Sequence, residues 1–252
     1  MAVKRYELSE AQWGRIEGLL AGKPGDPGRT GTDNRLFVNA VLWVLRSGAR
    51  WSDLPERYGK WKSVHKRFTR WAEGGVWERI FESLTGDPDN QYLMLDTTLV
   101  RVHQQAATGK GGGQNQALGR SRGGLTTKIH AVTDAQGRPL RFILTGGEAH
   151  DITTAAQLIS DLDAGGVIAD RAYDSNALRD VIAAANAEAI IPSTRSRKVV
   201  IPHDRVAYKL RNRIERFFNK LKHFRHIATR YDRRAVYFLA AIQLASSVIW
   251  MR

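Results

Sequence analysis

The sequence of 252 residues contains no cysteine. This absence excludes disulfide bonds, thiolate zinc sites and a cysteine nucleophile, so any metal ion must be bound through oxygen or imidazole ligands. No apolar run approaches the length of a membrane-spanning helix, and residues 1–10 lack the hydrophobic stretch of a signal peptide. We therefore expect a cytoplasmic protein.

Acidic residues are scarce relative to basic ones. The chain has 39 Lys and Arg against 25 Asp and Glu, which gives a formal net charge of +14 and a pI of about 10.3. Such an excess indicates a polyanionic partner, either nucleic acid or an acidic membrane surface. Because no membrane segment is predicted, double-stranded DNA or another nucleic acid is the favoured partner and a membrane is not.

The amino-terminal part, to about residue 88, has the periodicity of short helices joined by turns. One amphipathic segment begins near Ser9, a second begins near Asp33, and a third spans residues 63–71. The third segment carries three basic side chains, Lys66, Arg67 and Arg70. Basic residues on a later helix favour a helix-turn-helix DNA-binding domain. The alternative is a plain helical bundle whose charges form a solvated face.

A turn-rich segment at residues 86–90 predicts a domain boundary, after which the pattern changes to strands. The predicted elements are strands at 92–102, 125–133 and 140–144, a helix at 152–162, a strand at 167–170, a helix at 175–187, a strand at 189–191, and helices at 205–224 and 234–250. An antiparallel meander followed by alternating helices and strands predicts an α/β domain at residues 89–252, with an RNase H-like mixed sheet flanked by helices. A glycine-rich, basic stretch at 109–124 predicts a flexible loop.

Two aspartates follow short apolar runs that are predicted to be buried strands. Asp96 follows residues 92–95, and Asp170 follows residues 167–169. A charged side chain at such a position is costly to desolvate unless it is paired or binds a cation. Carboxylate oxygens suit Mg²⁺ or Mn²⁺, and a pair of such ions catalyses phosphodiester chemistry. The alternative is that Asp96 caps a turn and Asp170 pairs with Arg171 or Arg195.

A predicted helix near the carboxyl terminus adds a third carboxylate. At about 100° per residue, one stripe is apolar and comprises Leu210, Ile214, Phe217, Leu221 and Phe224. The opposite face groups Tyr208, Arg211, Glu215 and Lys222. Residues 195–234 hold fourteen Lys and Arg but only three acids, so Glu215 stands among cations. This isolation favours a metal ligand on a DNA-binding helix over a salt-bridged surface.

The spacing Tyr208-x2-Arg211-x3-Glu215-x6-Lys222 matches the Y-R-E-K signature of bacterial insertion-sequence transposases that carry a DDE triad. Over nearly its full length the chain resembles the insertion sequence five family, with further matching motifs at residues 95–98, 119–124, 126–130, 149–151 and 170–175. The resemblance implies a catalytic, metal-binding triad of Asp96, Asp170 and Glu215 with two Mg²⁺ or Mn²⁺ ions.

The resemblance also implies a partner and a reaction. The enzyme would bind the inverted ends of its element, cleave the phosphodiester and transfer the 3′-hydroxyl end to target DNA, as a dimer or larger assembly in the bacterial cytoplasm at the nucleoid. The side chains expected to contact DNA are Tyr208, Arg211, Lys222, Lys128, Arg120 and Arg122, with Lys66, Arg67 and Arg70 in the amino-terminal domain. His150 and Arg171 are possible accessory residues.

Some residues allow other interpretations. His223 and His226 have a ligand-like spacing, but without a third nearby ligand a zinc site is disfavoured. Asp151 is predicted to cap the helix that begins at Ile152. Two other functions stay open, a DNA-binding regulator indifferent to Mg²⁺ and a nuclease that performs no strand transfer.

Overall fold

A computed structural model describes residues 6–23, 25–26, 31, 33–108 and 116–252. The chain divides into two compact units. The first, which we call the helical unit, comprises Met1–Gly86, His103–Ala106 and Leu221–Arg252, and the second, the sheet unit, comprises Asp87–Val102 and Ala107–Lys220. The division into domains 1–88 and 89–252 stays a prediction, and the helical unit also includes the carboxyl-terminal residues Leu221–Arg252.

The α-helices, in chain order, are α1 (Glu10–Ile16), α2 (Asn34–Ser47), α3 (Trp61–Glu73), α4 (Val76–Leu84), α5 (Ala155–Ile159), α6 (Asn176–Ala184), α7 (Arg205–Tyr208), α8 (Asn212–Lys222), α9 (Arg225–Ala228) and α10 (Ala235–Trp250). The strands are β1 (Tyr92–Val102), β2 (Gly119–Ser121), β3 (Gly124–Thr133), β4 (Pro139–Gly146), β5 (Gly166–Ile168), β6 (Glu188–Ile190) and β7 (Thr229–Arg230). No helix among the described residues is both long enough and apolar enough to cross a membrane.

The helical unit follows the capping signals of its sequence. Ser9 and Gln12 form a capping box at the start of α1, and the Asp33 side chain accepts a hydrogen bond from the Leu36 backbone N–H at the start of α2. Gly48 ends α2 with a φ of 72°, a left-handed conformation that glycine adopts without strain. The helices predicted near Ser9, near Asp33, at 63–71 and at 234–250 are therefore confirmed.

The core of the helical unit is aromatic and aliphatic. Phe37 packs edge-on against Trp71 with ring centroids 4.9 Å apart, and Trp77 lies 5.2 Å from Trp71. Helix α10 is buried over most of its length and packs against α3 and α4. A helix that is apolar on all sides is stable only inside such a core.

The sheet unit contains the predicted mixed sheet. Strand β3 pairs antiparallel with β1 on one side and with β2 and β4 on the other. Strand β1 also pairs with β5 in parallel, and β5 pairs in parallel with β6. The antiparallel meander and the parallel half are both confirmed, and the RNase H-like α/β fold with them. Helices α5 and α6 lie in the connections between the later strands.

Two predicted helices are shorter than expected. The helix predicted at 152–162 is a 3₁₀ turn at Asp151–Thr154 followed by the five-residue α5. The helix predicted at 205–224 is interrupted by a 3₁₀ turn at Lys209–Arg211 and ends at Lys222. A 3₁₀ turn advances 120° per residue, so Leu210 is only half-buried and leaves the predicted apolar stripe. No Gly or Pro lies between residues 205 and 224 to signal this break.

The predicted flexible loop at 109–124 falls partly outside the described residues, which resume at 116. Its described end is ordered as a small hairpin, because β2 pairs with the beginning of β3 through Ser121 and Gly124. For this part of the segment the loop prediction is wrong.

Candidate active site

Asp96 and Asp170 lie side by side because of the strand register. Strands β1 and β5 are parallel with Met94 opposite Ile168, and each aspartate follows two residues after this pair. The charge of Asp170 contributes to the raised pKa of Asp96, as expected of two nearby carboxylates. The Asp96 Oδ1 atom accepts the Thr97 backbone N–H at 2.8 Å, and the Asp170 Oδ1 atom accepts that of Ala172 at 2.8 Å, capping a 3₁₀ turn.

Glu215 reaches the same region from helix α8. The apolar side of this helix is buried through Ile214 and Phe217, and the Phe217 ring lies 5.9 Å from that of Phe142 on β4. Arg213 also donates a hydrogen bond to the Ala135 carbonyl in the turn between β3 and β4. These contacts fix α8 against the sheet, so Glu215 lies on its exposed side.

Arg211 connects two of the three carboxylates. Its Nη1 atom lies 3.1 Å from Asp96 Oδ2, and its Nη2 atom forms an ion pair with Glu215 Oε1. The side chains of Asp96 and Arg211 are 18% and 22% exposed, whereas that of Glu215 is 49% exposed. The ion pair with Asp96 is thus partly shielded from water, and a single guanidinium compensates two carboxylates.

The electrostatics of the site are dominated by Asp96. The pKa of its carboxyl is raised to about 6, mainly by burial. The charges of Asp170 and Glu215 contribute to this rise, whereas the Thr97 N–H and Arg211 act against it. Burial would lower the pKa of Arg211, but the charges of Asp96 and Glu215 outweigh it and raise that pKa. Three carboxylates therefore act on one another here, and one arginine does not neutralise them.

The three carboxylates have the chemistry of ligands for a divalent cation, but their side chains are not arranged around a common metal position. Three carboxylates offer hard oxygen ligands of the kind that Mg²⁺ and Mn²⁺ prefer. Among the residues that the structure describes, no group of three His, Cys, Asp or Glu side chains is arranged to hold an ion. The Arg211 guanidinium binds both Asp96 and Glu215. An ion held by both carboxylates would have to replace this guanidinium.

Two residues of the segment 170–175, Tyr173 and Asp174, support the site, and neither has a function predicted from the sequence. The Tyr173 hydroxyl is buried without a hydrogen-bond partner, and burial, followed by the charges of Asp151 and Asp96, raises its pKa. Asp174 accepts hydrogen bonds from Arg179 at 2.9 Å and Arg197 at 2.8 Å, anchoring the chain that follows the site. The ion pair of Asp174 with Arg197 joins residues 23 positions apart and is not visible in local sequence patterns.

The alternatives for the two aspartates do not hold in the described residues. Asp170 caps a 3₁₀ turn rather than pairing with Arg171 or Arg195, and Asp96 pairs with Arg211. The prediction that Asp151 caps a helix is wrong, because its Oδ1 atom accepts a hydrogen bond from Lys128 Nζ at 2.6 Å.

Several predicted DNA-contacting side chains are engaged within the protein. Lys128 Nζ bonds both Asp151 and the Ala149 carbonyl, each at 2.6 Å. Arg67 hydrogen-bonds Asn34 and lies over the rings of Phe37 and Trp71. These two cations are held by their neighbours in the protein. Their role in DNA binding stays a prediction.

The other predicted contacts are accessible to different degrees. The exposed ones are Lys66, Arg70, Arg120, Arg122, His150 and Arg171. Tyr208 is half-buried with its ring 5.4 Å from that of His203 in the sheet unit. Lys222 belongs to the helical unit, where burial lowers its pKa. His226 is buried, and no zinc-like cluster includes it among the described residues.

The strand order and the acidic edge of the sheet define an RNase H-like protein with a carboxylate-rich centre. A family model described as "Transposase DDE domain" matches residues 87–250. A second, described as "Putative transposase of IS4/5 family", matches residues 8–81. The chain therefore belongs to the DDE transposases, which are metal-dependent enzymes acting on DNA.

Two of the relatives are themselves described as transposases. A "Putative transposase for insertion sequence element IS6501" from Brucella ovis is 45% identical over 132 residues, covering 51% of this chain and 100% of that protein. The "Putative transposase for insertion sequence element IS402" from Burkholderia cepacia is 33% identical over 135 residues, covering 49% and 62%. A solved structure, the Mos1 mariner paired end complex with Mn, covers 96% of this chain and 84% of that chain at 13% identity, with a TM-score of 0.28.

Proposed function

We propose that this transposase binds the inverted ends of its insertion sequence, cleaves the phosphodiester there with two bound divalent cations, and joins the 3′-hydroxyl end to target DNA. The observation that carries the proposal is that the Arg211 guanidinium pairs with both Asp96 and Glu215. The raised pKa of Asp96, to which burial, Asp170 and Glu215 contribute, supports it. Three acids from distant parts of the chain act on one another at one edge of the sheet. Such mutual repulsion is tolerated at sites built to hold cations.

Asp96, Asp170 and Glu215 are the residues that would hold Mg²⁺ or Mn²⁺. When bound, such ions stabilise negative charge on the phosphate oxygens and favour the deprotonated nucleophile. The protein's own part is to fix the carboxylates, through the β1–β5 register for the aspartates and through the buried side of α8 for Glu215. No covalent intermediate with the protein is needed.

Arg211 has a second function in this proposal. A guanidinium pairs with phosphate as readily as with carboxylate, often through two parallel hydrogen bonds. When cations occupy the acids, Arg211 is released to bind the DNA backbone next to the cleaved bond. Tyr208, Arg211, Glu215 and Lys222 make up the Y-R-E-K sequence signature, and each of its polar or basic side chains would contact DNA. Exposed Arg120 and Arg122 would add further basic contacts.

The reaction requires two DNA ends, so we propose at least a dimer when the protein is bound to DNA. The same site would first cut at the end of the element and then present the 3′-hydroxyl to target DNA. The protein would act in the bacterial cytoplasm, at the nucleoid.

An end-cleavage assay tests the proposal. Asp96→Asn and Glu215→Gln should abolish Mg²⁺-dependent cutting of a duplex carrying the inverted repeat, with DNA binding retained. Glu188→Gln is the matched control, because Glu188 is exposed at the start of β6, the opposite edge of the parallel strands. Near-wild-type cutting by Asp96→Asn would refute the proposed triad.

The products distinguish the remaining functions. A labelled 3′-hydroxyl end that is joined to a second duplex supports a transposase, whereas cut ends that are never joined indicate a nuclease. A regulator would bind DNA equally with and without Mg²⁺. Its binding would also be the same in Asp96→Asn and Glu215→Gln, and it would cut no DNA.

A further inference from the structure

The helical unit contains a cleft of about 880 Å³ that has no part in the carboxylate site. It is lined by residues 48–53 after α2, by Trp61 and His65 of α3, by residues 103 and 105, and by residues 226, 231–233 and 237. This volume is within the usual range for small-molecule sites, roughly 300–1,000 Å³.

Aromatic rings from four parts of the chain meet in this cleft. The Trp51 ring lies 4.9 Å from His65 and 6.4 Å from His226, measured between centroids. Tyr231 lies 5.1 Å from His226 and 4.9 Å from His103. The ring planes meet at angles between 36° and 75°, so the rings form an angled aromatic lining, and such linings bind planar, aromatic groups by face and edge contacts.

Two buried polar groups on this lining lack hydrogen bonds. His226 is 4% exposed, and neither of its ring nitrogens has a hydrogen-bond partner. Asp232 is 8% exposed, its Oδ2 atom has no hydrogen bond, and it lies 3.9 Å from His226 Nε2, beyond hydrogen-bonding distance. Buried polar groups without partners are rare in native proteins and point to a missing ligand or water.

Asp232 also has a structural function, which does not explain these open atoms. The pKa of the buried Arg230 is lowered to about 10 by burial, and the negative charge of Asp232 acts against this lowering. Asp232 can act as the counter-charge of Arg230 without forming a hydrogen bond through its Oδ2 atom. This atom and both His226 ring nitrogens can therefore bond a ligand. Among the described residues no three side chains are arranged to hold a metal ion, so an organic ligand fits better.

We infer that this cleft binds a single nucleotide whose base carries an exocyclic amino group. The planar base would contact the rings of Trp51 and Trp61, which both line the cleft. Its amino group would donate to Asp232, the carboxylate pairing that reads amino groups of bases, and a ring nitrogen would bond His226. The guanidinium of Arg50, exposed on the lining, suits the phosphate.

The nucleotide has two possible sources, a free nucleotide or an unpaired nucleotide within a DNA strand. Isothermal titration calorimetry with the full chain separates them, using dAMP, dCMP and dTMP as free ligands. Duplexes with or without one unpaired deoxycytidine serve as the DNA ligands. Preference for dAMP and dCMP over dTMP supports a free ligand, and tighter binding only to the duplex with the unpaired nucleotide supports a DNA source.

Variants locate the binding. Trp61→Ala removes an exposed ring on the cleft lining and should weaken nucleotide binding by about tenfold. Asp232→Asn should remove the preference for amino-bearing bases. Trp13→Phe is the control, because Trp13 lies on α1 outside the cleft.

Two results would overturn the inference. The first is that neither free nucleotides nor unpaired nucleotides bind better than dTMP or fully paired duplex. The second is that Trp61→Ala and Asp232→Asn both bind like the wild type. If Asp232→Asn fails to fold because Arg230 loses its counter-charge, Trp61→Ala decides alone, since the Trp61 ring is exposed and its loss leaves the core intact.

Discussion

Replacing Asp96 by asparagine should make the metal-free protein more stable. Burial raises the pKa of this carboxyl from an ordinary 3.8 to about 6, so the folded protein disfavours its charge. A shift of about two units corresponds to about 3 kcal/mol at neutral pH, at about 1.4 kcal/mol per unit. Asparagine resembles the protonated acid in shape and carries no charge. We therefore expect Asp96→Asn to raise the free energy of unfolding by up to about 3 kcal/mol at pH 7 without metal.

The pH dependence has a definite sign. Because the folded pKa is raised, protonation of Asp96 stabilises the folded protein fully below about pH 4, and this stabilisation is lost as the pH rises to about 6. Above that pH the difference between wild type and Asp96→Asn should be constant. Below pH 4 it should vanish.

Urea denaturation with a chelator, followed by circular dichroism, measures this difference. Asp174→Asn is the matched control, a buried aspartate of the same unit. Burial would raise the pKa of Asp174, but hydrogen bonds from Arg197, from the Thr194 N–H and from Arg179 outweigh it and lower that pKa. Its stabilising charge is present above about pH 4 and lost in acid, so Asp174→Asn should destabilise at pH 7. If Asp96→Asn destabilises the protein as well, the electrostatic account of the site is wrong.

Three further predictions concern Arg211, Gly48 and Ser9. Arg211→Gln should bind Mn²⁺ several-fold more tightly in electron paramagnetic resonance titrations, because a competing cation is removed; weaker binding would show that Arg211 assists the ion. Gly48→Ala should cost about 1–3 kcal/mol of unfolding free energy in urea, since φ is 72° and the added Cβ would lie 2.7 Å from Arg225 Cβ; an unchanged midpoint would contradict this. Ser9→Ala should cost about 1 kcal/mol through the lost cap of α1, whereas Ser9→Asp should retain most of the stability.

Much of the fold could be predicted from local signals. Capping residues such as Ser9 and Asp33, and the glycine at position 48, determine where helices begin and end within a few residues. The two aspartates could be identified because a charge after an apolar run needs a partner wherever the strand lies. The strand order then brings Asp96 and Asp170 together, and this follows from the topology alone.

The rest depends on contacts between distant residues. Arg211 and Asp96 are 115 positions apart, and the 3₁₀ turn that carries Arg211 has no sequence signal. The sequence predicts a DNA contact for Lys128 and a helix cap for Asp151. It does not predict their ion pair, because this pair joins β3 to a turn 23 residues later. The grouping of α10 with the amino-terminal helices likewise depends on packing between the two ends of the chain.

The central claim is that Asp96, Asp170 and Glu215 hold the catalytic cations. Anomalous X-ray scattering from crystals of the wild-type protein soaked in Mn²⁺ tests it most directly. We expect manganese bonded to oxygens of all three carboxylates, with the Arg211 guanidinium no longer paired with Asp96. Manganese bound elsewhere, with the ion pair between Arg211 and Asp96 intact at saturating Mn²⁺, would contradict the claim.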